Sequence, residues 1–205
     1  MRERPILFNT EMVKAILEGR KTCTRRAIKF SSGMTGRPIG KAGDSSNPLG
    51  VMYPGGIKRP PYQRGDILYV RETWCSAYDG EKFFYLADKL TNREERLLLN
   101  YDDVKWHPSI HMPKGATRIW LKVIDVRIER LQDITETQAQ AEGCNSGLLT
   151  GPCTARGQFE KLWNSTIKKP DADKYGWSAN PWVWVIEFGR CGKSGKLSRK
   201  EEVTT

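Results

Sequence analysis

The sequence predicts an α+β domain whose sheet is mostly antiparallel and barrel-like. Three observations carry this. Strand-like segments outnumber helix-like ones, and they run in the order helix, strands, helices, strand. The segment TRIWLKVIDVRIERL (117–131) alternates at Ile119, Leu121 and Val123, then changes phase before Val126 and Ile128. That pattern predicts one long strand with a bulge near Ile124–Asp125, a device that curves a sheet. The third is NPWVWVIEF (180–188), nearly all apolar or aromatic, which reads as a central strand buried on both faces.

The other elements follow in order. NTEMVKAILEG (9–19) predicts a short helix, with Asn9 or Thr10 as its cap, Met12, Val13, Ile16 and Leu17 on one face, and Gly19 at its end. Residues 31–61 are dense in Gly, Ser and Pro without a hydrophobic period, and predict a mobile insertion. GDILYVRETW (65–74) reads as a strand reached through a Gly-Asp turn, and EKFFYLAD (81–88) as its hairpin partner. ITETQAQAEGC carries a capping box, Thr135 with Gln138, and its helix should end at Gly143. In ARGQFEKLWNS, Phe159, Leu162 and Trp163 stand at helical spacing. Residues 1–188 are read as a single domain, and 189–205 as a basic, disordered tail.

The 205 residues hold 34 Lys+Arg against 24 Asp+Glu, a net charge of +10. The segment after Phe188 accounts for +3, so the body keeps +7. Such a balance favours a polyanionic partner, nucleic acid being the simplest. Five cysteines, an odd number with no C-x-x-C pair, argue against a disulfide framework or a zinc ribbon. PILF is too short for the core of a signal peptide, and no long apolar run follows it. The expectation is a cytoplasmic protein with no membrane role.

Three groups of residues are candidates for chemistry. In GRKTCTRR (19–26), Lys21 lies three residues from Thr24. If the segment turns, a neutral lysine amine there can act as general base to a threonine nucleophile. Equally, Lys21 and Arg26 can be solvated phosphate-binding cations and Thr24 a turn cap. Arg20 and Lys21 also suit the negative end of the helix dipole. Next, WHPSIHMP (106–113) contains His107 and His111, the only histidines of the chain. Pro108 and Pro113 disfavour a helical H-x-x-x-H site and no third ligand is evident, so no metal is expected. Trp106, His107, Ser109 and His111 better suit the wall of a nucleobase pocket, or a loop packed on the core. The third group is the seven tryptophans. Most should be core. Trp74, beside Arg71 and Glu72, is the first candidate for stacking on a base.

GRKTCTRR matches the G-x-K-x-x-T-x-R signature of the ASCH domain, a PUA-like superfold, at Gly19, Lys21, Thr24 and Arg26. With ERPILFNTEMVKAILEGRKTCTRR, GDILYVRETW, WHPSIHMPKGATRIWLKVIDVRIERLQDIT and ANPWVWVIEF, the chain resembles the prophage-encoded ASCH proteins of enteric bacteria. The resemblance covers most of 1–30 and 62–188. It implies a PUA-like barrel with flanking helices and a cleft beside the signature that takes RNA, more than DNA, or a nucleoside. A bacterial branch of the family hydrolyses N4-acetylcytidine without a metal or organic cofactor, using the lysine and threonine of the signature and a later glutamate. These carry over to Lys21, Thr24 and, by the "TE…A.E" pattern, Glu142. Arg20, Arg25 and Arg26 would then bind phosphate or the oxyanion. The insertions at 31–61 and near NSGLLTGPCTARG depart from the compact amidohydrolases and point to a larger pocket or a polymeric substrate. A non-catalytic nucleic-acid-binding module, a ribonuclease, and a phage effector acting on a host protein are the alternatives.

Overall fold

The computed structural model describes residues 1–30, 36–41, 44, 47, 49–77, 82–88, 105–145 and 154–197. The protein is α+β. Its main sheet holds β1 (Glu3–Leu7), β2 (Cys23–Ala27), β6 (Ile67–Arg71), β9 (Trp120–Arg130) and β10 (Trp182–Cys191), in the order β1-β6-β9-β10-β2. Only β1 and β6 run parallel; the other pairs are antiparallel. β1 and β2 are the two edges, so among the described residues the hydrogen-bonded sheet does not close into a barrel.

The curvature has a local cause. Glu187 pairs with Asp125 but Phe188 with Val123, so Ile124 is the extra residue of a β-bulge in β9. Leu121 and Val123 before the bulge, and Val126 after it, therefore face the same core, and the exposed Ile124 absorbs the change of phase. β10 is buried on both faces. Trp184, Ile186 and Phe188 join the principal core with Ile6, Phe8, Val13 and Ile16. Val183 and Val185 join a second core on the other side, with Leu131, Ala139, Phe159, Trp163 and Trp177.

The helices pin the strands. α1 (Thr10–Leu17) is capped by Asn9, whose side chain accepts from the Met12 N–H at 2.9 Å. α2 (Glu136–Ala141) has a complete capping box: Thr135 Oγ1 accepts from the Gln138 N–H, and Gln138 Oε1 from the Thr135 N–H. α3 (Ala155–Thr166) is capped by Thr154 and buries Phe159 and Trp163. A single turn, α4 (Ala172–Tyr175), precedes β10.

Three expectations change. Within 31–61, β3 (Arg37–Ile39), β4 (Gly50–Tyr53) and β5 (Gly56–Lys58) form an antiparallel meander, so the described part of the insertion has regular structure. Alternation over three- and four-residue strands is too short to stand out from a Gly/Pro background, but Val51 is fully buried in the principal core. The segment 81–88 does form a strand, β8 (Lys82–Tyr85), but its partner is β7 (Trp74–Ala77) rather than Ile67–Arg71. The basic tail also starts later than residue 189. β10 runs to Cys191, which pairs with Leu197 in an isolated bridge. Residues 198–205, the 146–153 insertion, Cys153 and residues 89–104 lie outside the described part.

Candidate functional site

Gly19 ends α1 with φ +75, a left-handed conformation that suits glycine, and the chain turns at once into β2. Lys21 sits in that turn. The Thr22 N–H donates to Ala141 O at 2.8 Å, and Lys21 bridges Glu142, the C-cap of α2. The ends of two helices distant in sequence are thus stitched back to back. Gly143 fits here for two reasons: its φ is +95, and a Cβ there would stand 2.8 Å from the Ala15 Cβ.

This stitching brings Lys21 and Glu142 into a dry interior. The Lys21 Nζ donates to Glu142 Oε2 at 2.7 Å and to Glu142 O at 2.9 Å. Its ammonium also lies 5.6 Å from the centre of the Phe8 ring. The other carboxylate oxygen, Oε1, accepts from Arg25 Nη1 at 3.2 Å. Arg25 Nη2 then donates to Glu129 Oε2 at 2.9 Å and to Gln138 Oε1 at 3.1 Å. Glu129 also pairs with Arg127, which pairs in turn with Glu187, so three cations and three carboxylates balance, which is what makes ionised groups tolerable at this depth. Gln138 both closes the capping box and holds Arg25, so helix start and site share one residue.

Burial shapes the titration of the neighbours. The Cys23 thiol is pushed up to about 12, first by burial and then by the Glu142 carboxylate, against the opposing pull of Lys21 and Arg25. Cys144 is raised to about 11 by burial and again by Glu142. Burial lowers the Arg26 guanidinium from its ordinary value, with Glu142 and Tyr62 opposing. Burial likewise raises the Tyr62 phenol, with Arg26 opposing.

Thr24 is buried beside this network and makes a different contact. Its Oγ1 accepts from Arg26 Nη1 at 2.9 Å, and Lys21 donates no hydrogen bond to it. Arg26 also gives Nη1 to Arg25 O at 3.2 Å and Nη2 to Leu7 O at 3.1 Å. Leu7 ends β1 and Arg26 lies in β2, so this side chain crosses the gap between the two edges of the sheet.

Thr24, Arg25, Arg26 and Glu142 line one cavity of about 440 Å³, within the usual range of ligand sites. Its apolar wall is Ile6, Met12, Tyr62, Phe159, Leu162 and Trp163. Lys21 is not on that wall; it holds Glu142 from behind. Phe159, Leu162 and Trp163 read in sequence only as the apolar face of a helix, and their spacing carried no sign of a cavity. Tyr62 and Phe8 likewise lack a sequence signal.

The remaining predicted residues lie elsewhere. Arg20 is exposed, pairing with Glu18 and donating to Gly143 O at 2.6 Å, a brace on the outside of the α2 end. Arg71, Glu72, Trp74, Trp106, His107, Ser109 and His111 do not line the cavity. Trp74 and His107 pair through their backbones, with ring centres 5.1 Å apart. Arg71 donates to Ile110 O. Glu72 is buried and held bidentately by Arg118 at 2.9 Å on both oxygens, while Arg118 also pairs with Asp88. Ser109 and His111 sit in a 3-10 turn. The Arg71, Glu72 and Trp74–His107 contacts tie the start of the hairpin and the 106–113 segment to the sheet, while Trp106 and His111 are exposed.

No protein-family description, no curated protein and no solved structure matches the chain. The site stands on its geometry. Among the described residues, no helix is long and apolar enough to cross a membrane.

Proposed function

We propose that the cavity takes a nucleobase and that the protein is an ASCH-type amidohydrolase acting on an N4-acylated cytidine. The observation that carries this reading is the buried Lys21–Glu142 pair, whose glutamate lines the same cavity as Thr24. The signature resemblance and the curved sheet, with Arg26 spanning its two edges, support a PUA-like arrangement. The aromatic and aliphatic wall suits the flat face of a base, and the polar groups are gathered on one side.

The chemistry follows from the positions. Thr24 Oγ attacks the acyl carbon, and its proton passes to Glu142, steadied by Lys21. The C–N bond breaks as that proton reaches the departing exocyclic amine, freeing cytidine. Water then cleaves the threonine ester, releasing the carboxylic acid and restoring the hydroxyl. Arg26, already on Thr24 Oγ1, stands where an N–H can steady the developing oxyanion.

The test is incubation with a panel of N4-acylated cytosines and cytidines, followed by mass spectrometry. The expected products are the free base or nucleoside and the matching acid. Turnover of none of them overturns the hydrolase reading. One observation favours a second reading, a non-catalytic binding module. Thr24 Oγ1 is held by Arg26, while both oxygens of the Glu142 carboxylate that would take its proton are held by Lys21 and Arg25. Tight binding of the nucleoside without turnover would establish that reading.

A further inference from the structure

The cavity touches both layers of the fold. Of its wall, Ile6, Met12 and Tyr62 pack with the principal core, Phe159 and Trp163 with the second. Thr24, Arg25, Arg26 and Ala27, consecutive in β2, line it as well. Consecutive strand residues alternate between the two faces of a sheet, so a cavity that meets all of them runs along the edge of the strand. β2 is an outer strand: β10 covers one of its edges, and among the described residues no strand pairs with the other.

The phase of the β2–β10 ladder fixes which backbone groups the free edge carries. The Ile28 N–H donates to Trp182 O at 2.9 Å, and Thr22 O accepts from the Phe188 N–H at 2.8 Å. Hydrogen-bonded and non-hydrogen-bonded pairs alternate in an antiparallel ladder, so Thr24 and Arg26 also point their backbone groups at β10. Arg25 and Ala27 stand in the alternate register and turn theirs toward the cavity. The Arg25 carbonyl accordingly accepts from Arg26 Nη1 at 3.2 Å, a side chain on the cavity wall, and keeps a second lone pair. The Ala27 N–H has no hydrogen-bond partner among the described residues. When a ligand displaces water from such a donor, the ligand must supply the acceptor.

We propose that the free edge of β2 reads the base, with Arg25 O accepting from an exocyclic N–H and the Ala27 N–H donating to the ring nitrogen beside it. This rests on the nucleobase reading of the cavity. A carbonyl and the N–H two residues on are neighbours along a strand edge, an acceptor followed by a donor. Cytosine matches this with its N4–H and N3, a donor followed by an acceptor. Uracil offers O4 and N3–H, the reverse order, and sets carbonyl against carbonyl and N–H against N–H. The edge therefore selects an amino base over a keto base. An N4-acyl group leaves one hydrogen on N4, enough for the Arg25 carbonyl. The order also has a direction: the nitrogen that bears the acyl group lies at the Thr24 end of the edge, and the ring nitrogen at the Ala27 end. The apolar wall then holds the ring without having to read it.

Calorimetric titration of the full chain with cytidine, 3-deazacytidine and uridine tests the edge from the ligand side. 3-Deazacytidine keeps the amine and replaces N3 by C–H. It and uridine should each bind about tenfold or more weaker than cytidine, the scale of a donor left unpaired away from water. Ala27→Pro removes the donor itself. The Ala27 N–H faces away from β10, so the ladder keeps its bonds, and an edge strand tolerates proline at such a position. In the folded variant cytidine and 3-deazacytidine should bind alike. Should the variant fail to fold, the three ligands on the wild type decide. Equal binding of cytidine with either analogue by the wild type, or a cytidine preference over 3-deazacytidine that survives in folded Ala27→Pro, overturns the edge reading and leaves the nucleobase cavity standing. If none of the three binds, the nucleobase reading falls and takes the edge reading with it.

Discussion

The Lys21 amine and the Glu142 carboxylate meet at 2.7 Å with side chains 0% and 2% exposed, and the same lysine also holds the Glu142 carbonyl. This residue pair is at once a structural clasp and the centre of the proposed chemistry, and the two roles can be separated.

Glu142→Gln removes a charge and leaves the Lys21 and Arg25 cations without their shared carboxylate. Losing one partner of a buried pair should cost about 3 kcal/mol, read by denaturant unfolding. Turnover of an active substrate should fall about a hundredfold or more. The apolar double variant Lys21→Met/Glu142→Leu should regain at least half of the lost stability, because the lysine charge is gone and Arg25 keeps Glu129, and regain no turnover. If stability returns and activity with it, the pair is structural only.

Cys23 makes stability fall in alkali. Its thiol ionises at about 12 in the folded protein, against 9.0 for an ordinary thiol. Below pH 9 both states keep the proton. Between 9 and 12 the unfolded chain binds fewer protons than the folded one, so stability declines as pH rises. The steepest loss from this one thiol is about 1.4 kcal/mol per pH unit. Urea midpoints taken across this range should drop, and Cys23→Ala should flatten the drop. An unchanged slope in Cys23→Ala would assign the loss to other groups.

Val51 tests whether the meander belongs to the core. It is fully buried, and Val51→Ala should lower global stability by about 2 kcal/mol. A flap docked loosely would behave otherwise. The same substitution would leave the midpoint unchanged and only quicken hydrogen exchange at 37–58.

Binding to single-stranded RNA should weaken with salt, with a log–log slope of about −3 if the basic body neutralises four phosphates. Truncation should begin at residue 198, because Cys191 ends β10 and pairs with Leu197. Gel-shift measurements on the 1–197 chain should show most of the affinity kept. Its complete loss would transfer the contact to the tail.

Much of the scaffold was legible because it obeys simple periods. The phase change around Ile124 marked the bulge, the Thr135–Gln138 spacing marked the cap of α2, and the unbroken apolar run marked β10. Within the site, the crowding of GRKTCTRR drew attention to Lys21 and Thr24. The position of Glu142 followed from a resemblance rather than from any period, since a helix-end glutamate is ordinarily solvated. What joins it to Lys21 is an isolated bridge spanning 121 positions, and contacts at such range leave no local trace. Trp74 and His107 show the opposite failing. Their composition suits a base-stacking wall, but their rings pack against one another, away from the cavity.

Arg26 has one more consequence. Of its five N–H groups, three are committed, two on Nη1 and one on Nη2. The remaining two have no partner among the described residues. A ligand can therefore recruit this guanidinium without making it release Leu7 or Thr24. Occupancy adds bonds to a strap that already crosses from one rim of the sheet to the other, so a filled pocket and a tightened seam are the same event. Ligand affinity and resistance to prising β1 away from β2 should rise and fall together.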